Sequence, residues 1–280
     1  MKRIIAMNDI SCLGRCSLTV ILPIISASGI ECTILPTALL SNHTGGFEGY
    51  TFRDLTEEIP AIAEQWVRLH LNSDAIYCGY LASPAQAKTV RNAVKELKQN
   101  GTLIFVDPVM GDHGKLYKNF TPELIGAMEE MAMDADILVP NMTEAHQLLH
   151  WEYREGPYHR EYLAKMLKEF EKKYPHARTV LTGVDISDTK IGCAFLKEEK
   201  EEIFVHRKLS GEYHGTGDIF ASVLLAGIVN GLSLEKAVKV AGEFVADCIE
   251  ATIQEENEEK YGIAFESCLD TLKERMDLRG

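Results

Sequence analysis

Short apolar runs alternate with stretches of helical spacing along nearly the whole chain, the order expected of a mostly parallel sheet wrapped in helices. Runs at residues 2–7, 31–35, 75–78, 102–106, 136–139 and 178–181 predict strands. The run at 102–106 is apolar throughout, as burial on both faces demands. Helical spacing at 16–28, 55–71, 84–99, 121–133, 158–173, 234–253 and 264–275 predicts helices, and another begins at Asp218. Residues 191–196 and 202–206 alternate like a hairpin around 197–201. The remaining segments read as loops: 8–15, 36–46, 107–115, 140–144, 182–185 and 210–213. The acidic run 255–259 reads as a solvated face. The expectation is one α/β domain over residues 1–280.

Composition narrows the function classes. With 46% hydrophobic and 25% charged residues the chain buries a large core. The formal net charge of -13 argues against nucleic acid or an anionic membrane as partner. No apolar run approaches the ~20 residues of a membrane span, and Met1-Lys2-Arg3 leads into a strand without a signal sequence, so a cytoplasmic location is expected. Seven scattered cysteines without paired spacing read as reduced thiols.

Candidate chemistry sits at the strand ends, where ligands bind in open α/β sheets. In His214-Gly215-Thr216-Gly217-Asp218, two glycines flank a threonine just before a helix, so free N–H groups and the helix dipole can cradle a phosphate. Asp218, in the first turn, is placed to take a proton from an attacking hydroxyl, although Gly and Asp are also ordinary helix-start residues. Asp107 and Asp112, at the end of an apolar strand, suit a hard cation such as Mg²⁺. Asn141 and Glu144 form a capping-box pattern, and Glu144 would also add negative charge beside Asp107. Asp9 ends the first strand, either facing a substrate or capping a helix. Ser41, Asn42, His43 and Thr44 could read a polar heteroaromatic ring or simply form a turn, and Tyr80 could stack on that ring or be packed. Thr182 and Gly183 could touch a nucleotide.

Taken together, Ser41-Asn42-His43-Thr44, Asp107-Pro108-Val109-Met110-Gly111-Asp112, Pro140-Asn141-x-x-Glu144 and Gly215-Thr216-Gly217-Asp218 closely resemble the pyridoxal/pyridoxamine (vitamin B6) kinases of the ribokinase-like superfamily. The resemblance runs from Met1 to about residue 250. It implies a three-layer fold, transfer of the γ-phosphoryl group of Mg·ATP to the 5′-hydroxymethyl of a B6 vitamer, and a homodimer. A monovalent cation such as K⁺ is left open. By matching position, Asp218 resembles the base and Gly215, Thr216 and Gly217 the anion hole. Asp107, Asp112 and Glu144 resemble the metal and phosphate group. Val139, Asn141, Thr182 and Gly183, with Asp107 and Glu144, resemble the ATP contacts. Asp9, His43, Thr44, Gly45, Tyr80 and Asp218 resemble the vitamin pocket. Asp9 departs from the serine that many members carry, as does Gly45 from a bulkier residue, which bears on the preferred vitamer. The alternatives are hydroxymethylpyrimidine kinase, with a similar substrate, and a catalytically silent vitamin-binding protein.

Overall fold

A computed structural model describes residues 1–209, 211, 213–255 and 258–276. Six strands run parallel at its centre: β1 (Arg3–Ser11), β2 (Glu31–Leu40), β4 (Ala75–Cys78), β5 (Leu103–Val106), β8 (Ile137–Leu138) and β9 (Arg178–Ser187). β3 (Phe52–Asp54) adds antiparallel to β2 at one edge; β10 (Lys190–Lys197) and β11 (Lys200–Arg207) add antiparallel at the other. The order is β11-β10-β9-β8-β5-β4-β1-β2-β3. A separate hairpin, β6 (Gly111–Asp112) with β7 (Lys115–Leu116), stands beyond β5.

Alternation along β1 assigns the two faces. Ile4 and Ala6 pack toward α1 (Leu18–Ala27), α7 (Thr216–Val229) and α8 (Leu234–Gln254). Ile5 and Met7 pack toward α2 (Glu58–Arg68), α3 (Pro84–Leu97), α4 (Pro122–Met133), α5 (Met142–Leu148) and α6 (Arg160–Lys173). All four side chains are fully buried, so a central strand must be apolar at every position. α7 is apolar nearly all round and buried from Ile219 to Gly227, as a helix lodged between the sheet and its neighbours must be. This three-layer α/β domain is the expected fold. After α8, a 3₁₀ turn over Glu266–Cys268 and α9 (Leu269–Arg275) replace the expected helix over 264–275.

The structure differs from the sequence reading chiefly where pairing overrides local composition. β1 continues through Asn8, Asp9 and Ile10 to Ser11, and β2 through Pro36 to Leu40, because Ile10 pairs with Leu39 and Ser11 with Leu40. Pro36, which has no N–H to give, coincides with a register shift between Asn8 and Ile10. β9 likewise continues to Ser187 against β10, so Thr182 and Gly183 lie within a strand. The turn between β10 and β11 is only Glu198-Glu199, both at positive φ (49° and 66°), the conformation a two-residue hairpin requires. Ser210 and Glu212 of the loop before α7, and Glu256 and Asn257 of the acidic run, lie outside the described residues.

Candidate active site

The strand ends and the start of α7 converge on one place. Gly215 precedes α7 with φ 86°, and a Cβ there would lie 2.2 Å from the carbonyl oxygen of Arg15. Only glycine satisfies both conditions. The chain therefore turns sharply, and the first-turn N–H groups, which have no acceptor within the helix, face outward at the positive end of its dipole. Around Gly217 nothing lies within 4 Å of an added Cβ, so the approach to this turn is open. The Thr216 hydroxyl donates to the Tyr213 carbonyl at 3.3 Å, fixing the turn from its other side.

Asp218, half-buried in the first turn, accepts the backbone N–H of Ser17 at its Oδ2 (2.8 Å). Burial pushes its carboxyl up to about 7; the Ser17 N–H opposes the rise and the charge of Asp9 adds to it. That value suits a general base working near neutral pH. Asp9 is 4% exposed, and both its oxygens are engaged: Oδ1 accepts the Ser17 hydroxyl (2.6 Å) and Oδ2 the Ser11 hydroxyl (3.0 Å). The sequence reading offers this carboxylate either to a substrate or to a helix cap; the contacts it makes here are with the two serine hydroxyls. Asp9 lies inside β1 and is turned inward to the two serines, because β2 carries the pairing past it.

Across the site, Asp107 follows β5, 7% exposed, with the Tyr77 hydroxyl donating to its Oδ2 at 3.4 Å. Burial and the charge of Asp218 raise its carboxyl well above the usual range. Glu144 is raised likewise, by burial and then by Asp107. It completes the capping box at α5: Asn141 N–H donates to Glu144 Oε2 (2.8 Å), and Glu144 N–H donates to Asn141 Oδ1 (3.0 Å). Glu144 Oε1 accepts the Met110 N–H (3.0 Å), Asn141 Nδ2 donates to Gly111 O (2.8 Å), and the Gly114 N–H donates to Thr143 Oγ1 (2.8 Å). The hairpin is thus strapped to the start of α5. Asp112 is exposed on β6 and accepts the His113 N–H.

Asp107, Asp112 and Glu144 therefore share one electrostatic neighbourhood without forming a ready-made cage. Among the described residues no three His, Cys, Asp or Glu side chains are grouped to hold a metal ion. Such an arrangement matches Mg²⁺, which commonly takes one or two carboxylates together with water and substrate phosphates. Burial raises the proton affinity of Asp107 and Glu144, and a neighbouring carboxylate adds to it, Asp218 for the first and Asp107 for the second; such a place favours a cation, so the donor set fits the ion.

On the opposite side, His43 is 5% exposed. Its Nδ1 accepts the Gly45 N–H (3.2 Å), so the ring carries its proton on Nε2, which donates to the Lys260 carbonyl (2.7 Å). Burial lowers its pKa, and the neutral ring acts as a clasp between the 42–47 loop and the 258–262 segment. Thr44 is exposed beside it. A Cβ on Gly45 would lie 2.4 Å from the His214 ring, so that ring occupies the space a bulkier residue would take. Tyr80, just past β4, is half-buried and meets Phe120 edge to face at 6.3 Å. Thr182 is half-buried and Gly183 exposed, facing Asn141 across a bridge between Asn141 and Thr182. Val139 is 3% exposed and packed in the core, with its N–H on Val106 O.

Several members of the site carried no sequence signal as read. Ser17 touches both Asp9 and Asp218, and Tyr77 reaches Asp107 from β4. The Tyr117 phenol is raised by burial and by Glu144, Asp112, Asp218 and Asp107. Tyr77 was legible in principle, since alternation along β4 places it on the α7 face. Ser17 was not, because nothing local announces a serine at positive φ.

A family model for phosphomethylpyrimidine kinase matches residues 22–262. A Bacteroides thetaiotaomicron candidate phosphomethylpyrimidine kinase, crystallised with pyridoxal, is 37% identical, with a TM-score of 0.91 over 97% of this chain and 96% of that one. Pyridoxal kinase from Lactobacillus plantarum is 29% identical, with a TM-score of 0.90 over 98% and 97% of the two chains. A candidate pyridoxal kinase of Saccharomyces cerevisiae is 28% identical over 210 residues, 70% of this chain and 64% of that protein's length. With the glycine turn, the acid in the first turn of α7 and the opposing carboxylates in place, the chain belongs to the phosphomethylpyrimidine kinase family, in the ribokinase-like superfamily that includes the pyridoxal kinases.

Proposed function

We propose that the whole chain, as one kinase domain, transfers the γ-phosphoryl group of ATP to the 5′-hydroxymethyl group of pyridoxal, pyridoxine or pyridoxamine, giving the 5′-phosphate in B6 salvage. The observation that carries this reading is Asp218, a carboxyl raised to about 7, placed in the first turn of a helix whose N–H groups face outward. Asp218 takes the proton of the substrate hydroxyl as its oxygen bonds to the γ-phosphorus and the bond to the β-phosphate oxygen breaks. Gly215, Thr216 and Gly217 offer backbone N–H groups to the transferring phosphoryl oxygens. Asp107, Asp112 and Glu144 would hold Mg²⁺ together with water and the substrate phosphates, and the ion would supply positive charge against that developing on the transferring group. Asn141, Thr182 and Gly183 line the nucleotide side. His43, Thr44, Gly45 and Tyr80 line the vitamin side, His43 by holding its loop closed. The protein acts in the cytoplasm as a homodimer; no helix among the described residues is long and apolar enough to cross a membrane. The relative that was crystallised with pyridoxal supports the substrate class.

A second acceptor, hydroxymethylpyrimidine, is favoured by the family model itself, which describes phosphomethylpyrimidine kinases. Steady-state turnover with Mg·ATP across pyridoxal, pyridoxine, pyridoxamine and hydroxymethylpyrimidine tests the assignment. The expected result is the highest kcat/KM on a B6 vitamer. A clear preference for the pyrimidine transfers the enzyme to thiamine synthesis, and no turnover on any of the four removes the kinase reading.

A further inference from the structure

We propose that Ser17 is a positioning residue for Asp218, held in its backbone conformation by Asp9. The inference rests on the reading of Asp218 as the base and adds what aims it.

Ser17 lies at φ 56°, ψ -136°, a region that costs a residue with a Cβ appreciable strain. It stands at the N-cap of α1, where a serine side chain ordinarily accepts an N–H of the first turn. Here it makes no such bond. Its carbonyl begins the helix, accepting the N–H groups of Val20 (3.0 Å) and Ile21 (2.9 Å). Its hydroxyl instead donates to Asp9 Oδ1 at 2.6 Å. The outcome of this twisted peptide is the direction of the Ser17 N–H, which points across to α7 and donates to Asp218 Oδ2 at 2.8 Å. A serine at an ordinary negative φ would turn that N–H elsewhere. With Oδ2 held, Oδ1 is left to take the substrate proton.

Asp9 is itself fixed. Its second oxygen accepts the Ser11 hydroxyl, and it is nearly inaccessible to solvent. Ser11, Asp9, Ser17 and Asp218 therefore form one hydrogen-bonded line from inside β1 to the mouth of the site. In this line Asp9 secures the strained turn, and the turn orients the base. The same residue that a strand-end position offered as a ring contact does its work through the backbone of Ser17.

The test compares Ser17→Ala with Ser17→Gly. Both remove the hydroxyl, but glycine is at home at positive φ whereas alanine is not. Ser17→Ala, released from Asp9, relaxes away from φ 56° and loses the N–H to Asp218. Its kcat is expected to fall by about tenfold or more, with the KM of the acceptor within about twofold, the pattern of an interaction used in the transition state. Ser17→Gly keeps the N–H in place and retains kcat within about threefold of wild type, because the aimed N–H survives. Equal kcat in the two variants overturns the proposal, as does a matched rise of acceptor KM in both, which would make the hydroxyl a substrate contact. Where Ser17→Ala does not fold, Ser17→Gly carries the test: kcat within about threefold of wild type with the glycine N–H still on Asp218 supports the proposal, and a fall of about tenfold or more with that N–H in place overturns it. Crystal structures of both variants decide independently of turnover: an alanine still at positive φ with its N–H on Asp218 overturns the proposal. If the wild-type enzyme phosphorylates none of the acceptors, the kinase reading fails and the crystallographic comparison alone judges Ser17.

Discussion

Glu144 accepts the backbone N–H of Met110 at one carboxylate oxygen (3.0 Å) and that of Asn141 at the other (2.8 Å), so one buried side chain joins the loop after β5 to the start of α5. Because both donors are backbone groups, the geometry of the Asp107–Asp112 loop depends on an acceptor with two oxygens. In Glu144→Gln one N–H faces an amide NH₂ and loses its partner, a loss worth roughly 1–3 kcal/mol for a buried group. The melting temperature is expected to fall, and the KM for Mg·ATP to rise more than that for the acceptor. An unchanged melting temperature would show that the loop is held by other contacts.

Asp218 ties activity and stability to pH in opposite directions. Its folded pKa of about 7 lies above the ordinary 3.8, so between these values the folded chain holds a proton that the unfolded chain has released. Stability contributed by this group therefore falls as pH rises from about 4 to about 7, while the basic form needed for turnover appears only near the top of that window. Asp218→Asn should lower kcat by about 10²–10⁴-fold, the range for loss of a general base. It should also raise the melting temperature at pH 8 relative to wild type, since asparagine carries no charge to bury. The check is kcat against pH together with melting curves at pH 5 and pH 8. A variant that keeps more than about a tenth of the wild-type rate removes Asp218 from the mechanism.

Gly215 is the third test, and it probes the anion hole without touching a charge. Alanine there must adopt φ 86° and place its Cβ 2.2 Å from the Arg15 carbonyl. Either the start of α7 or the loop before α1 must move. Gly215→Ala is expected to lose more than about 1 kcal/mol of stability from strain alone and to lower kcat, because the first-turn N–H groups no longer share one aim. Paired measurements of melting temperature and kcat check it. A variant indistinguishable from wild type in both would mean that the turn tolerates a side chain and that the close approach is not required.

The sequence by itself determined the strand-helix succession, the burial of both sheet faces and the sharp turn before α7. Each is written in local periodicity or in a residue type with few conformations: Ile4 to Met7 are apolar at every position, and Gly215 stands where a positive φ is needed. The capping box of Asn141 and Glu144 was legible for the same reason, since its partners are three residues apart. Tertiary structure decided how far the strands run and which way the side chains at their ends face. Pairing of Ile10 and Ser11 with Leu39 and Leu40 drew Asp9 into β1, although its neighbours read as a loop. Val139, which the resemblance offers as an ATP contact, packs into the core, because its place between layers depends on helices distant in sequence. The contact between Ser17 and Asp218 joins residues 201 positions apart, and the backbone conformation that makes it is stabilised by a third residue, Asp9 on β1. Pattern reading sees spacing along one segment. The direction of a single N–H across the site is fixed only when the loop before α1, β1 and α7 are packed together.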